Sequence, residues 1–356
     1  MKDRIYVCHT YYHVYVAFLK ELNLPMNERG KATLVLSSLS IHFENLKERV
    51  ESTGLFEAVI PFEEKRDTEY PELAKLRKPR KNLILHLIQR IIFTKKYGRY
   101  VAKTIPVNFK DYKDIYVFCD SDPIGYYLNT YHIYYHALED GLNCIKNFDA
   151  ARYDNRGHFE LKAFLSDKLN LIFIQNGYGR YCIDMEVNDI AALKYPCRKY
   201  VEVSRQKLVD QLTREDKDII LKAFIRNREE LDHQISDAEG FQDKILILTE
   251  PLCDLETRKQ IFRDLVTAYE KEGMVFIKPH PRDELDYHEL FPELPQFDAT
   301  VPMEMLNFFP NLHFKKVISV LTETKAIQFA EETIRLGSDF MDKYEEASIH
   351  RQNEQI

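Results

Sequence analysis

Five short stretches of this chain combine residue types that can do chemistry with neighbours that fix their place. The first is Ala137-Leu138-Glu139-Asp140-Gly141. Acidic residues at the end of a strand, followed by glycine, put a carboxylate at a sheet edge, where it can take a proton from a sugar hydroxyl. The same residues also read as an ordinary Asp-Gly turn. The second is Lys278-Pro279-His280-Pro281-Arg282-Asp283, after the apolar run Met274–Ile277. Two prolines lock the backbone around His280. A protonatable imidazole there suits an anionic phosphate leaving group, and Lys278 and Arg282 add positive charge. A rigid turn with an incidental histidine is the alternative. The third is Ile318-Ser319-Val320-Leu321-Thr322-Glu323-Thr324, read as a strand end followed by a helix start. Hydroxyls and N–H groups at a helix N-terminus bind phosphate, and Thr322 could equally be only an N-cap. The fourth is Glu304, alone in the apolar segment Val301–Leu306, which could accept hydrogen bonds from ribose or be a partly exposed helix residue. The fifth is Asp120-Ser121-Asp122, after the run Ile115–Cys119. Two aspartates around one residue can hold a divalent metal on a nucleotide diphosphate; a cap and turn before Pro123 explains them as well.

The elements that must position these residues are legible as short apolar runs. Ile5–Cys8, Ala32–Leu36, Ala58–Phe62, Ile115–Cys119, Leu171–Ile174, Ile245–Leu248, Met274–Ile277 and Val317–Val320 each have the length of a buried strand. Helical stretches lie between many of them: Val14–Leu22, Phe43–Ser52, Arg205–Leu231, Thr257–Glu272 and Thr324–Leu336. Strand–helix alternation predicts parallel sheets built from βαβ units. A chain of 356 residues exceeds what one core usually supports. The expected class is therefore α/β, with two Rossmann-like domains facing a cleft. The expected division is 1–160 for an N-terminal α/β domain, 161–243 for a connecting helical region, and 244–356 for a C-terminal α/β domain. In such sheets ligands bind at the carboxyl ends of the strands.

Composition removes several classes. A net charge of -7 argues against a general nucleic-acid binder. Six cysteines without a CxxC pair argue against a zinc site or a disulfide scaffold and fit a reducing compartment. The opening Met1-Lys2-Asp3-Arg4 leads into an apolar stretch that His9 breaks, which is no signal peptide. No window offers the roughly 20 apolar residues of a membrane span. A cytoplasmic protein is expected, peripheral on the inner face of the membrane if it touches lipid at all. Residues 75–103 bear on that question: they carry ten Lys or Arg residues, grouped mainly at the two ends of the apolar centre Leu83–Phe93. This segment reads as a helix packed in the core or in a homodimer interface, or as a basic amphipathic helix on an anionic membrane.

Taken in order, Glu139-Asp140-Gly141, then His280-Pro281, then the hydroxyl-bearing turn at Thr322 resemble bacterial sialyltransferases. The pattern looks most like glycosyltransferase family 52, the lipooligosaccharide and capsule sialyltransferases. Val7-Cys8-His9-Thr10-Tyr11-Tyr12-His13 is similar to that family's first strand and turn, and Pro302–Glu304 to the stretch upstream of its last strand. The resemblance implies a B-type glycosyltransferase fold, a CMP-sialic acid donor, inversion at the anomeric carbon, and neither metal nor other cofactor. It implies a galactose-type glycan acceptor, for which a lipid link would make membrane contact useful. Carried over by position, Asp140 is the general base or an acceptor-binding carboxylate. His280 is the general acid or a hydrogen-bond donor to the CMP phosphate. Glu304 binds ribose and Thr322 binds phosphate, with Glu139, Gly141, Lys278, Pro281 and Thr324 completing the substrate and nucleotide set. Where the family usually shows two adjacent hydroxyl residues, this chain has Thr322-Glu323-Thr324. Asp254, after the run Ile245–Leu248, is a second candidate base.

Two other functions compete. One is a metal-dependent UDP-sugar transferase with Asp120 and Asp122 on the metal. The other is an inactive scaffold of a surface-polysaccharide assembly complex, in contact through the basic segment.

Overall fold

The structure is a computed structural model. It describes residues 1–350 apart from Glu44, Pro79, Cys119, Asp122, Leu142, 147–148, 226–242, Thr300, 310–311 and 325–326. The chain divides into two compact units, Met1–Asp216 and Lys217–Ile356.

The first unit is built on strands β1 Lys2–Cys8, β2 Ala32–Ser37, β3 Ala58–Phe62, β4 Tyr112–Phe118, β5 Tyr135–Leu138, β6 Cys182–Val187 and β7 Tyr200–Glu202. They form one sheet in the order β3-β2-β1-β4-β5-β6-β7, and every pairing is parallel. Parallel strands need crossovers, and buried helices supply them. Helix α1, Tyr11–Leu22, is buried along most of its length. It is followed by α2 Leu46–Glu51, α3 Ala74–Arg77, α4 Leu83–Val101 and α5 Pro123–Thr130. Strand order reverses between β1 and β4, so the crevice at their carboxyl ends is the switch point of this sheet. His9 and the N-terminus of α1 lie there directly after β1.

The second unit carries β8 Lys244–Leu248, β9 Met274–Lys278, β10 Phe314–Ser319 and β11 Ala330–Arg335 in the order β11-β10-β8-β9, again all parallel. Its core is Ile245, Ile247, Ile261, Phe262, Ile277 and Ile318, all fully buried. The switch point here lies between β8 and β10.

Four expected elements come out differently. Residues 161–216, read as part of a connecting region, contribute β6 and β7 to the first sheet. In Cys182–Val187 polar residues interrupt the apolar ones, so no apolar run marks it. Leu171–Ile174 is no strand: it is a buried irregular segment whose amides are met locally, Leu171 N–H by Leu165 O and Ile174 N–H by Ser166 Oγ. Among its described residues Thr324–Leu336 holds no helix; its second half is β11, whose mostly exposed Ala-Glu-Glu-Thr-Ile-Arg sequence is that of a charged edge strand. The stretch Arg205–Leu231 breaks into the helices Arg205–Asp210 and Arg214–Phe224. The break is held by Thr213 and Asp216, whose side chains each accept the other's backbone N–H. Positions 226–231 of that stretch lie outside the described residues.

Helix α4 is seated on α5 through a glycine. A methyl group at Gly98 would come within 2.6 Å of Tyr126 O and 2.2 Å of Thr130 Oγ1. Because one of these is backbone, it cannot rotate away. Gly98→Ala is therefore expected to destabilise the protein by about 1–3 kcal/mol, the usual cost of overpacking. Urea unfolding checks this, and a midpoint equal to wild type would show that the helices are not in such contact.

Candidate active site

In the first unit, the carboxyl ends of three strands converge on two histidines. His9 directly follows β1 and His13 lies in the first turn of α1, whose N-cap Thr10 accepts the His13 N–H through Oγ1 at 3.2 Å. His9 Nε2 lies 2.8 Å from Glu64 Oε2, and both side chains are fully buried. Ser37 Oγ, from the end of β2, donates to the same oxygen at 2.7 Å, and the Ile124 N–H of α5 donates to Oε1 at 2.8 Å. Glu64 thus ties β1, β2 and α5 together from the end of β3.

His13 is the group that reaches the sequence-predicted carboxylate. Its Nδ1 accepts the His9 backbone N–H at 3.0 Å. A nitrogen that accepts carries no proton, so neutral His13 holds its hydrogen on Nε2. That Nε2 meets Asp140 Oδ1. The His13 ring stacks on Phe118, centroids 4.4 Å apart, and its side chain is fully buried. Burial pulls the imidazole pKa down and Asp140 pushes back. Asp140 keeps 35% of its side chain exposed. A buried neutral donor therefore orients a carboxylate that remains open to solvent. Gly141 next to it has φ +91°, a region favouring glycine. Glu139 is turned the other way: it is buried, accepts the Asn188 N–H at 3.0 Å, and burial pushes its carboxyl up.

In the second unit the His-Pro turn is anchored from below. Asp283 pairs with Arg258 at 2.5 Å and accepts from Tyr287 Oη at 2.8 Å and from Thr249 Oγ1 at 3.4 Å. Thr249 Oγ1 in turn accepts the His280 N–H at 3.0 Å. His280 Nδ1 accepts the Arg282 N–H at 3.1 Å, which leaves Nε2 as the proton-bearing nitrogen. Burial, then the charges of Arg282 and Lys278, push His280 down to about 4. Lys278 itself is buried, donates to the Pro279 and Ala299 carbonyls at 2.9 and 3.1 Å, and is pushed down to about 8 by burial. Pro281 is exposed at the tip of the turn. Glu304 lies in the 3-10 helix Met303–Phe308, and burial raises its carboxyl while Lys278 opposes the shift.

The turn at Thr322 differs most from expectation. Among the described residues no helix starts there, so Thr322 caps nothing. The amides are nevertheless gathered: Val320, Leu321 and Thr322 all donate to Glu250 Oε1, at 2.9, 2.9 and 3.0 Å. Glu250 comes from the end of β8 across the switch point. The expected anion is present, but it is the protein's own carboxylate. Glu323 turns to Arg335 of β11 at 2.5 Å, and Thr324 is buried, its carbonyl accepting the Ile327 N–H.

Asp254 is the N-cap of the helix Leu255–Tyr269. It accepts the Glu256 and Thr257 N–H groups at 3.0 and 3.1 Å and the Thr257 hydroxyl at 2.6 Å. The Thr257 hydroxyl above all holds its pKa below the usual range, which makes it a weaker proton acceptor. Asp120 is buried, accepts from the Asn176 N–H and Tyr135 Oη, and is pushed up to about 6 by burial; Asp122 lies outside the described residues. His13, Glu64 and Glu250 were not singled out from sequence. Only the spacing His9-x-x-x-His13 on a strand-to-helix turn hinted at the first.

Residues 70–334 match the model of Glycosyltransferase family 52. An uncharacterized protein from Haemophilus influenzae is 30% identical over 97 residues, 26% of this chain, and the match spans about a third, 31%, of that relative's length. Among solved structures, the 2,6-sialyltransferase of Photobacterium sp. JT-ISH-224, in complex with CMP and lactose, is similar over 99% of this chain and 75% of that one, with TM-score 0.58 and 10% identity. The alpha/beta-galactoside alpha-2,3-sialyltransferase of Photobacterium phosphoreum is similar over 93% and 89%, with TM-score 0.54 and 13% identity. At these identities the likeness is one of fold, the B-type glycosyltransferase architecture.

The hydrogen bonds predict a titration. At pH 6 an ordinary imidazole with pKa ~6.5 is mostly protonated, whereas His280, with its pKa at about 4, stays neutral with the proton on Nε2. Nitrogen-15 chemical shifts of the ring read this directly; an imidazolium signal for His280 at pH 6 would contradict the geometry.

Proposed function

This chain belongs to glycosyltransferase family 52, and on that premise we propose that it is an inverting, metal-independent sialyltransferase. The donor is CMP-sialic acid, and the acceptor is a galactose-type sugar on lipooligosaccharide or capsule. The observation that carries this is the Asp140–His13 pair: a partly exposed carboxylate at a sheet's carboxyl edge, held by a buried neutral imidazole. Such a carboxylate is aimed without being neutralised, which is what a general base requires.

In this mechanism Asp140 takes the proton of the acceptor hydroxyl as its oxygen bonds to the anomeric carbon. The bond from that carbon to the donor phosphate oxygen breaks on the opposite face, and CMP leaves with the electron pair. The transition state has oxocarbenium character. The Nε2–H of His280 donates to the leaving phosphate and favours the charge that develops there. Phosphate at this position raises the imidazole pKa from about 4, so His280 can also deliver a proton. Between the two candidate bases, the depressed pKa and capping bonds of Asp254 favour Asp140. The relatives support the donor and acceptor classes only through the CMP and lactose bound to one of them.

The metal-dependent UDP-sugar alternative loses support at Asp120, whose carboxylate is buried on Asn176 and Tyr135. The scaffold alternative has one observation in its favour: Glu250 fills the amides that a donor phosphate would use.

A thermal-shift panel of CMP, CDP and UDP, with Mg²⁺ and with EDTA, tests the proposal, because a ligand that binds only the folded state raises the melting temperature. Stabilisation by CMP that EDTA leaves intact is expected. Stabilisation by UDP that needs Mg²⁺ would transfer the chemistry to Asp120 and Asp122, and no response to any nucleotide would leave a scaffold. Turnover then separates the carboxylates. Asp140→Asn should lose about 10²–10⁴-fold in kcat, the usual worth of a general base, with Asp254→Asn closer to wild type. The reverse ranking would make Asp254 the base.

A further inference from the structure

One carboxylate of the second unit lies where a ligand anion is expected. The amides of Val320, Leu321 and Thr322 donate to Glu250 Oε1 at 2.9, 2.9 and 3.0 Å, and the Leu321 N–H also lies 3.1 Å from Oε2. Successive N–H groups that converge on one point form an anion-binding nest, a device that many proteins use to hold phosphate. This nest directly follows β10, beside the switch point between β8 and β10. Ligands of open parallel sheets bind at such points. The turn that presents the amides is closed on itself, because Ser319 Oγ donates to the Thr322 carbonyl at 2.9 Å. Glu250 is only 5% exposed. Burial raises its carboxyl pKa, and the three amides and the Thr322 hydroxyl oppose that shift by favouring the charged form.

The nest adjoins the His280 turn. Thr249, the residue before Glu250, donates its N–H to the Lys278 carbonyl at 3.1 Å and accepts the His280 N–H through Oγ1 at 3.0 Å. Glu250 and His280 therefore stand side by side at the ends of the paired strands β8 and β9. One phosphate can meet the Nε2–H of His280. A second phosphate, carried towards the switch point, would meet a carboxylate that already holds all three amides. Two anions cannot share one set of donors without repulsion, and burial makes that repulsion stronger than it is in water.

We infer that Glu250 is a specificity-determining residue of the donor site: its carboxylate takes the place of a second phosphate, so the site accepts a nucleoside monophosphate as leaving group and rejects a nucleoside diphosphate. This role presupposes the CMP-sugar transferase proposed above. In it, the filled nest is a means of choosing the donor rather than a sign of lost function. A carboxylate that only braces the turn would behave differently. It would satisfy the amides and leave the number of phosphates without effect, so removing its charge separates the two roles.

Calorimetric titration of the full chain with CMP and with CDP, both in EDTA, tests this. Wild type is expected to bind CMP at least about tenfold more tightly than CDP, because a like charge opposes the second phosphate. Glu250→Gln keeps the length of the side chain and a carbonyl oxygen for the amides but removes the charge. It should raise the affinity for CDP at least about tenfold and change that for CMP by less than about threefold. Wild type that binds CDP as tightly as CMP would overturn the proposal, and this outcome needs no variant. So would a Glu250→Gln protein, folded by its melting curve, whose affinities for both nucleotides change equally or not at all; Glu250 would then only brace the turn. The donor reading fails separately. Binding of CDP gained by Glu250→Gln, with CMP bound by neither form, would keep the exclusion by Glu250 and sink the CMP donor, whereas no nucleotide bound by either form would sink both.

Discussion

The arrangement of the first unit depends on burying polar groups where parallel strands end. A carboxylate or an imidazole withdrawn from water is costly unless hydrogen bonds replace the lost hydration. Here the replacements come from different strands. Glu64 takes hydrogen bonds from Ser37 and the Ile124 amide and a contact from His9. His13 accepts from the His9 amide and meets Asp140 across 127 positions of sequence. Each bond fixes a register or a tautomer that the next one needs. The open carboxylate at Asp140 is the end of that chain of constraints rather than an isolated acidic residue.

The second unit solves a similar problem differently. Glu250 crosses from β8 to the amides after β10, at the point where the strand order reverses. Three N–H donors compensate the carboxylate there, although burial still leaves its pKa raised. The His280 turn stands on a second buried acid, Asp283, held by Arg258 and passed on through Thr249. Two carboxylates thus shape the carboxyl edge of this sheet, and the imidazole is left neutral by burial first and then by the cations beside it.

Much of the fold was legible because fully buried parallel strands are continuous apolar runs. Ala58–Phe62 matches β3 at both ends, and Ile245–Leu248 and Met274–Ile277 each lie one residue from the observed strand. The misses share a physical cause. β6 carries polar residues among its apolar ones, and β11 is an edge strand with charged residues, so neither shows a run. Leu171–Ile174 shows a run without a ladder because its amides are satisfied locally. For the site, Asp140 and His280 were legible because glycine and proline mark their turns. His13, Glu64, Asp283 and Glu250 were not, since what distinguishes them is a partner from another strand.

By itself the sequence determined the α/β alternation, the strand ends at which Asp140 and His280 stand, and the unbroken basic character from 73 to 110. These depend on periodicity, turn chemistry and charge, all local properties of a chain. Only the tertiary structure decided that His13 holds Asp140, that Glu250 takes the amides after β10, and that the Leu83–Ile92 stripe faces outward. Those outcomes depend on which groups meet across long sequence separations and on which face of a helix is buried, and spacing along the chain does not encode either one.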